Sequence, residues 1–265
     1  MELITARGFA TLDALVKHLG VSESTVRRDL EALDGSGAIK RTHGGAVTSR
    51  EVRSMPAHED RVSSAAREKR AIGRIAATLI EDGDTVLLDG GTTTMEVARA
   101  LIGRPVQVVT NSIPIASLMS ASPLSDVILV GGYVSPRTGV AMGPLAVEMM
   151  RGIRVRKAIL GAGGLLAEGV FNSNVLLVET ERQMMDCGQE VVIVADHTKF
   201  GRTSLSKLCG LDAIDFLVTD PGIPDDFRAL LDAAKVSLHV APIEGEPAES
   251  LHVLPRTPGP GRIDA

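Results

Sequence analysis

The stretch Thr85-Val86-Leu87-Leu88-Asp89-Gly90-Gly91-Thr92-Thr93-Thr94-Met95-Glu96-Val97 decides how this chain is read. Thr85 to Leu88 is apolar and β-prone, and Glu81-Asp82-Gly83-Asp84 before it is a cluster of turn formers. The pattern predicts a buried strand, a tight polar turn and the first turn of a helix. Gly90-Gly91 permits close backbone approach or a positive φ. The three threonines stand where the N–H groups of a new helix have no internal partner. Hydroxyls, free N–H groups and the positive end of a helix together favour an anion, most often a phosphate. Asp89 does not suit a phosphate; it suits sugar hydroxyls or an amine beside it. Taken alone, the same residues make a loop with a threonine cap, so the flanking sequence has to decide.

Downstream and upstream of this stretch, apolar strand-like runs alternate with helical ones. Strands are expected at 85–88, 106–110, 126–130, 157–160, 190–195, 215–219 and 236–240, and helices at 95–101, 113–119, 145–150, 175–187 and 224–234. Such alternation predicts a mainly parallel sheet covered on both faces. Ligands of these sheets bind beyond the carboxyl ends of the strands. There the chain places Asp89-Gly90-Gly91-Thr92, Asn111-Ser112, Gly131-Gly132, Gly161-Ala162-Gly163-Gly164, Asp196-His197-Thr198-Lys199 and Asp220-Pro221-Gly222. Glycines and small polar groups therefore gather at one rim. Lys199 follows a buried strand and can reach an anion as a point charge. Arg137, in Ser135-Pro136-Arg137-Thr138-Gly139, sits in a loop able to close over a ligand. Glu179 and Glu181 read as solvated positions on a helix, and His197 as a turn residue. The helix that a dinucleotide site needs after Gly161 is delayed past Gly169, which argues against that reading.

The first fifty residues differ in character. Leu12, Leu15, Val16 and Leu19 recur at helical spacing, with Thr11 placed to cap the start and Gly20 the end. Ser22 caps a second helix from Glu23 to about Leu33, with Val26, Leu30 and Leu33 on its apolar face. Ser24, Thr25, Arg27 and Arg28 lie on the other face. Two short helices joined by Leu19-Gly20-Val21-Ser22 make a helix-turn-helix, whose second helix enters the major groove. Arg27 and Arg28 can then reach guanine or phosphate, and Ser22, Ser24 and Thr25 permit close approach. Ala38 to Val47 follows as a short strand, a basic tip and a glycine turn. It reads as a wing whose Lys40, Arg41 and His43 contact phosphates.

Composition narrows the function classes. The 265 residues are 44% hydrophobic and 23% charged, ordinary for a globular chain, with five Phe, one Tyr and no Trp. The core must be aliphatic, and aromatic platforms for stacking single-stranded bases are not expected. No apolar run approaches the roughly 18 residues that span a bilayer, and Met1-Glu2-Leu3-Ile4 lacks the features of a secretory signal. Cys187 and Cys209 form no Cys-x-x-Cys pair. A cytoplasmic protein without cofactor, metal site or membrane partner is expected. Net charge is −5, yet residues 1–50 hold seven Lys/Arg against six Asp/Glu. A basic face can bind nucleic acid on an acidic chain.

At this point a resemblance becomes specific. Val21-Ser22-Glu23-Ser24-Thr25-Val26-Arg27-Arg28-Asp29-Leu30, together with Arg41-Thr42-His43-Gly44-Gly45-Ala46, is similar to the amino-terminal signature of the DeoR family of bacterial transcriptional regulators. Asp89-Gly90-Gly91-Thr92-Thr93, Asn111-Ser112, Val130-Gly131-Gly132, Gly139, Gly143-Pro144 and Lys199-Phe200-Gly201-Arg202 continue it, so the resemblance covers about residues 11 to 240. It implies a small winged helix-turn-helix domain followed by a larger α/β domain related in fold to ribose-5-phosphate isomerase. It also implies a repressor of a sugar or polyol catabolism operon, with a phosphorylated sugar or similar metabolite as effector. Carried over by position, Gly91, Thr92, Thr93 and Thr94 hold the phosphate, and Asp89, Asn111, Gly132, Arg137 and Lys199 line the rest. Paired operator half-sites imply self-association as a dimer or tetramer.

The domain boundaries expected are 1–50 for DNA binding, 51–68 for a linker, 69–242 for the sensor and 243–265 for a Pro- and Gly-rich disordered tail. Family members carry a full helix ahead of Thr11, where this chain offers only Met1 to about Arg7. A truncated first helix is expected to withdraw core contacts from Leu15 and Val26. The competing class is a sugar-phosphate isomerase, which needs a base beside the sugar carbon. Asp89 is the one strong carboxylate candidate at the rim, with no second evident from spacing. A sensor that has lost DNA binding is the third reading.

Overall fold

A computed structural model describes residues 9–35, 39–42, 45–48 and 63–243. The chain forms two compact units, Met1–Pro56 and Ala57–Ala265. His43, most of the expected linker and all but the first residue of the expected tail lie outside the described residues.

In the first unit, α1 (Leu12–Leu19) and α2 (Glu23–Gly35) form the expected pair of short helices. Gly20 ends α1 with φ +65° and its N–H on the Val16 carbonyl at 2.9 Å. Gly is the residue that takes this left-handed turn without strain. Ser22 Oγ accepts from the Thr25 N–H at 3.3 Å, the N-cap bond that starts α2. Leu15, Val26 and Leu30 are buried, with Leu12, Val16 and Leu33 packed against them. Leu15 and Val26 are 4% and 1% exposed; residues 1–8, on which the expectation of a truncated first helix falls, lie outside the described residues. Leu19, expected on the packed face, is instead 53% exposed at the last position of α1. The wing is three-stranded. β1 (Phe9–Thr11) joins β2 (Ile39–Thr42) and β3 (Gly45–Thr48) in the order β1-β3-β2, all antiparallel. The strand β1 was not expected from sequence.

The second unit is built on a seven-stranded parallel sheet. Its strands are β4 (Thr85–Leu88), β5 (Gln107–Thr110), β6 (Asp126–Leu129), β9 (Val155–Gly161), β12 (Gly188–Val194), β14 (Phe216–Thr219) and β15 (Ser237–Val240). Their order is β15-β14-β12-β9-β4-β5-β6, with every neighbouring pair parallel. Both faces are covered, as near-continuous apolar strands require. Leu87, Val109, Leu160, Ile193 and Leu217 face one layer of core. Val86, Leu88, Val108, Ile159, Val192, Val194 and Val218 face the other. The second layer is closed by α3 (Ala66–Thr78), α4 (Thr92–Leu101) and α5 (Ile113–Met119). Gly73 in α3 has no room for a side chain, because a Cβ there would stand 2.5 Å from the Glu96 backbone of α4. The first layer takes α6 (Pro144–Met150), α7 (Val175–Cys187) and α8 (Asp225–Ala233).

Smaller pieces sit between these elements. β7 (Tyr133–Val134) pairs with β8 (Ala141–Met142), and β10 (Gly164–Leu166), β11 (Gly169–Asn172) and β13 (Ser206–Cys209) form a three-stranded antiparallel sheet. No helix among the described residues is long and apolar enough to cross a membrane.

Candidate functional site

The strand order creates the site. From β4 the chain steps outward through β5 to β6, then returns to place β9 on the other side of β4 and continues through β12 and β14 to β15. The order reverses between β4 and β9, the place where open parallel sheets leave a crevice for ligands. Asp89 follows β4 and Gly161 ends β9, so both stand at that reversal.

Asp89 is 2% exposed. The backbone N–H groups of Gly90 and Gly161 and the Asn111 amide favour its charged form, and the Glu181 carboxyl lies against it. Burial pushes the Asp89 carboxyl up, and these bonds push it back. Asn111 Nδ2 donates to Asp89 Oδ1 at 3.5 Å and to the Ala141 carbonyl at 3.1 Å. Asn111 thereby ties the end of β5 to the β7–β8 hairpin, and its Oδ1 has no partner among the described residues. Gly90 explains the glycine pair: a Cβ there would lie 2.2 Å from Val140 Cγ2. The requirement is close approach by the hairpin, not a positive φ, since Gly91 is extended at φ −150°.

Gly91 then caps α4 with no side-chain acceptor for the helix end. The Met95 N–H takes the Gly91 carbonyl at 3.0 Å, which leaves the N–H groups of Thr92, Thr93 and Thr94 beyond reach of any intrahelical acceptor. Thr92 is half-buried and Thr93 is 6% exposed. Thr94 is wholly buried, and its hydroxyl donates to the Gly91 carbonyl at 3.0 Å, so it shapes the turn from within.

The remaining expected residues border this turn at different depths. Arg137 is exposed in the loop joining β7 to β8. That loop is bonded to the rim rather than hanging free: the Ile113 N–H takes the Gly139 carbonyl at 3.0 Å, and the Ala141 N–H takes the Asn111 carbonyl at 2.8 Å. Gly132, at φ +147°, packs against the Met142 carbonyl and Ala146 in the turn before β7. Lys199 is half-buried in a single 3-10 turn, His197–Lys199, that Asp196 caps. β12 lies two strands from β4, which sets Lys199 and Asp89 on strands roughly 10 Å apart. His197 is held by Asp220 through its backbone N–H at 2.7 Å and Nδ1 at 2.8 Å, the turn role expected of it.

One residue of this crevice was misread. Glu181 was expected on a solvated face, and no second carboxyl was expected near Asp89; Glu181 is 0% exposed and bonded to Asp89. Asn172 Nδ2 donates to Glu181 Oε1 at 2.6 Å. Burial first, and the Asp89 charge second, push the Glu181 carboxyl well above its ordinary range. The signal was present in the sequence. Leu177, Val178 and Met184 are the buried stripe of α7, and position 181 lies on it, four and three residues after the first two and three before the last. Glu179 is exposed, as expected.

In the first unit, Ser22 Oγ lies 2.8 Å from both Ser24 Oγ and Thr25 Oγ1 on the exposed start of α2. Arg27 is paired with Glu23 one turn back at 2.7 Å, with both side chains more than half exposed. Arg28 is exposed, and Lys40 and Arg41 lie on β2. No group of three or more metal-binding side chains occurs among the described residues.

These two units, a helix-turn-helix and a parallel-sheet domain with an uncapped helix start at its rim, define a DNA-binding regulator that carries its own sensor. Comparison with known proteins agrees in both parts. Residues 1–52 match the DeoR-like helix-turn-helix domain and residues 64–221 the DeoR C terminal sensor domain. The chain is 34% identical over 240 residues to the HTH-type transcriptional repressor GlcR of Bacillus subtilis strain 168, covering 91% of this chain and 93% of that one. It is 31% identical over 242 residues to the glycerol-3-phosphate regulon repressor of Escherichia coli K12, covering 91% and 96%. Among solved structures, ribose 5 phosphate isomerase A from Neisseria gonorrhoeae is 15% identical over 51% of this chain and 53% of that chain, with a TM-score of 0.38. The chain belongs to the DeoR family of transcriptional regulators.

Proposed function

We propose that the protein represses a sugar or polyol catabolism operon and that a phosphorylated sugar or polyol, held at the switch-point crevice, sets its affinity for operator DNA. The observation that carries the effector half is the uncapped start of α4 beside the strand-order reversal. N–H groups and hydroxyls of Thr92 and Thr93, after Gly91, take the phosphate. Thr94 and Asp89 hold that turn in shape from below, and Asn111, Gly132, Arg137 and Lys199 border the remainder of the ligand. In the DNA-binding half, Ser22, Ser24, Thr25, Arg27 and Arg28 present α2 to the major groove, with Lys40, Arg41 and His43 on the wing. Arg27 exchanges Glu23 for DNA at little cost, because exposed pairs contribute about 0–1 kcal/mol. The chain acts on paired half-sites as an even-numbered homo-oligomer in the cytoplasm.

A regulator without catalysis is favoured over an isomerase by the state of Asp89. It is 2% exposed and already taken up by the Gly90 and Gly161 N–H groups and the Asn111 amide, so it is a poor candidate for a base reaching a sugar carbon. Incubation of the pure protein with pentose and hexose phosphates is expected to give no interconversion; turnover would replace this reading. The effector assignment is tested by thermal shift across matched pairs of phosphorylated and free sugars. A ligand bound only by the folded state raises its stability by about 2.7 kcal/mol at a hundred times Kd. Phosphorylated members are expected to stabilise and their free counterparts not. Equal stabilisation by both would contradict the anion cradle.

A further inference from the structure

Glu181 has no role in the reading so far, yet it is the least accommodating group in the crevice. It is 0% exposed on α7, and only one of its oxygens receives a donor, Asn172 Nδ2 at 2.6 Å. Oε2 has no N–H or O–H partner among the described residues. The carboxyl's other interaction is with Asp89, itself a buried carboxyl that accepts from Gly90, Gly161 and Asn111. Two ionised carboxylates cannot share such a place; one proton between them turns repulsion into a hydrogen bond. Asp89 has three other donors and Glu181 has one, so the proton belongs to Glu181 and Asp89 remains the acceptor.

We propose that Glu181 is a positioning residue for the anion cradle: its protonated carboxyl donates to Asp89, latches α7 to the end of β4, and so fixes the Asp89-Gly90-Gly91 turn that presents the free N–H groups of α4. The inference rests on the effector site proposed above. Loss of the proton sets two buried negative charges against each other and releases that turn. Anion binding at the cradle therefore weakens as pH rises.

The surroundings leave the proton to this pair. Asp89 is the titratable group that acts on Glu181; Cys209 on β13 is acted on in turn, its thiol pushed up to about 11 by burial first and by the Glu181 charge second, which keeps it neutral. Arg182 on α7 donates to the Leu208 and Lys207 carbonyls, and the Lys207 side chain on β13 is exposed. Lys157 on β9 pairs with Glu190 on β12 at 2.7 Å. Glu148 on α6 is exposed and bonded to Arg151. β8 and β11 carry no titratable side chain.

The sign follows from linkage. A carboxyl raised in the folded state binds more protons folded than unfolded above its ordinary value of 4.5, so its contribution to stability is complete below that pH and is lost as pH rises through the folded value. His239 has the opposite slope: burial lowers its ring from 6.5, so its contribution is lost as pH falls. A scan from about pH 7 to about pH 9 stays above that second effect.

The test uses the full chain and sulfate, an anion whose charge is constant over this range. Thermal midpoints and the sulfate concentration for half-maximal stabilisation are measured for the parent, Glu181→Gln and Glu181→Leu. Gln keeps a donor toward Asp89 and cannot ionise. In the parent the midpoint is expected to fall and the sulfate requirement to rise several-fold across the scan. In Glu181→Gln both are expected to be nearly flat, with the sulfate requirement within about twofold of the parent at pH 7. Glu181→Leu, if folded, is expected to need more sulfate at every pH. A slope in Glu181→Gln equal to the parent's overturns the latch. Absence of sulfate stabilisation in the parent at all pH values overturns the anion site itself, a different failure.

Discussion

The two units are held together in different ways. Among the described residues, the DNA-binding unit rests on one small cluster, Leu15, Val26 and Leu30, bridging two helices of 8 and 13 residues. The sensor sandwiches its sheet between two extended layers in which adjacent residues of one strand serve opposite faces, as Ile159 and Leu160 do. Helices this short are marginal alone, and their stability comes from packing. A core with few members leaves little reserve, whereas the sensor has enough buried surface to hold a buried polar crevice at its rim. Buried Asp89 and Glu181 are tolerable only in the second setting. The pairing is suited to regulation: a firm body senses, and a lightly built head is easily biased.

That contrast can be broken at several strengths. The largest effect is expected from Leu160→Ala, wholly buried at the centre of the sheet, at about 2–5 kcal/mol in chemical denaturation. Effector stabilisation should fall with it. Leu30→Ala belongs to the same class of change but is expected toward the lower end of about 2–5 kcal/mol, because a small cluster collapses more readily. It should abolish operator binding while leaving the sensor's calorimetric transition in place. One shared transition for both variants would show that the units are a single cooperative body. Arg28→Ala is expected to cost about 1–3 kcal/mol in operator affinity, with no change in thermal midpoint. Glu23→Ala should be nearly silent in stability, below about 0.5 kcal/mol, since its partner Arg27 is solvated. A gel shift that weakens markedly on this change would give Glu23 a contact with DNA.

Much of this was legible in the residues. The strands at 85–88 and the helices at 113–119 and 175–187 were read at their observed limits, because long apolar runs between glycine-rich turns leave little ambiguity. β1, β7, β8, β10, β11 and β13 were missed. They are two to four residues long, and β10 and β11 begin with Gly164 and Gly169, which read as turn formers. At the site, the Asp89 turn and Asn111 were found because they follow predicted strands. Glu181 and Asn172 were not, because they reach the crevice from α7 and from β11, and only tertiary packing brings these to the switch point. A charged residue on an apolar helical stripe was the available clue, outweighed by the usual solvation of carboxylates.

The central claim is that an anion at the start of α4 changes how firmly the head grips DNA. Coupling of this kind is reciprocal and requires an effector with different affinities for the two states. The direct measurement is operator affinity by fluorescence anisotropy, with and without the phosphorylated sugar that stabilises the protein most, for the parent and for Thr92→Ala combined with Thr93→Ala. The parent is expected to change its operator affinity by at least about fivefold on adding effector. The double variant is expected to bind operator as the parent does and to ignore the effector. A double variant that responds as fully as the parent would contradict the account.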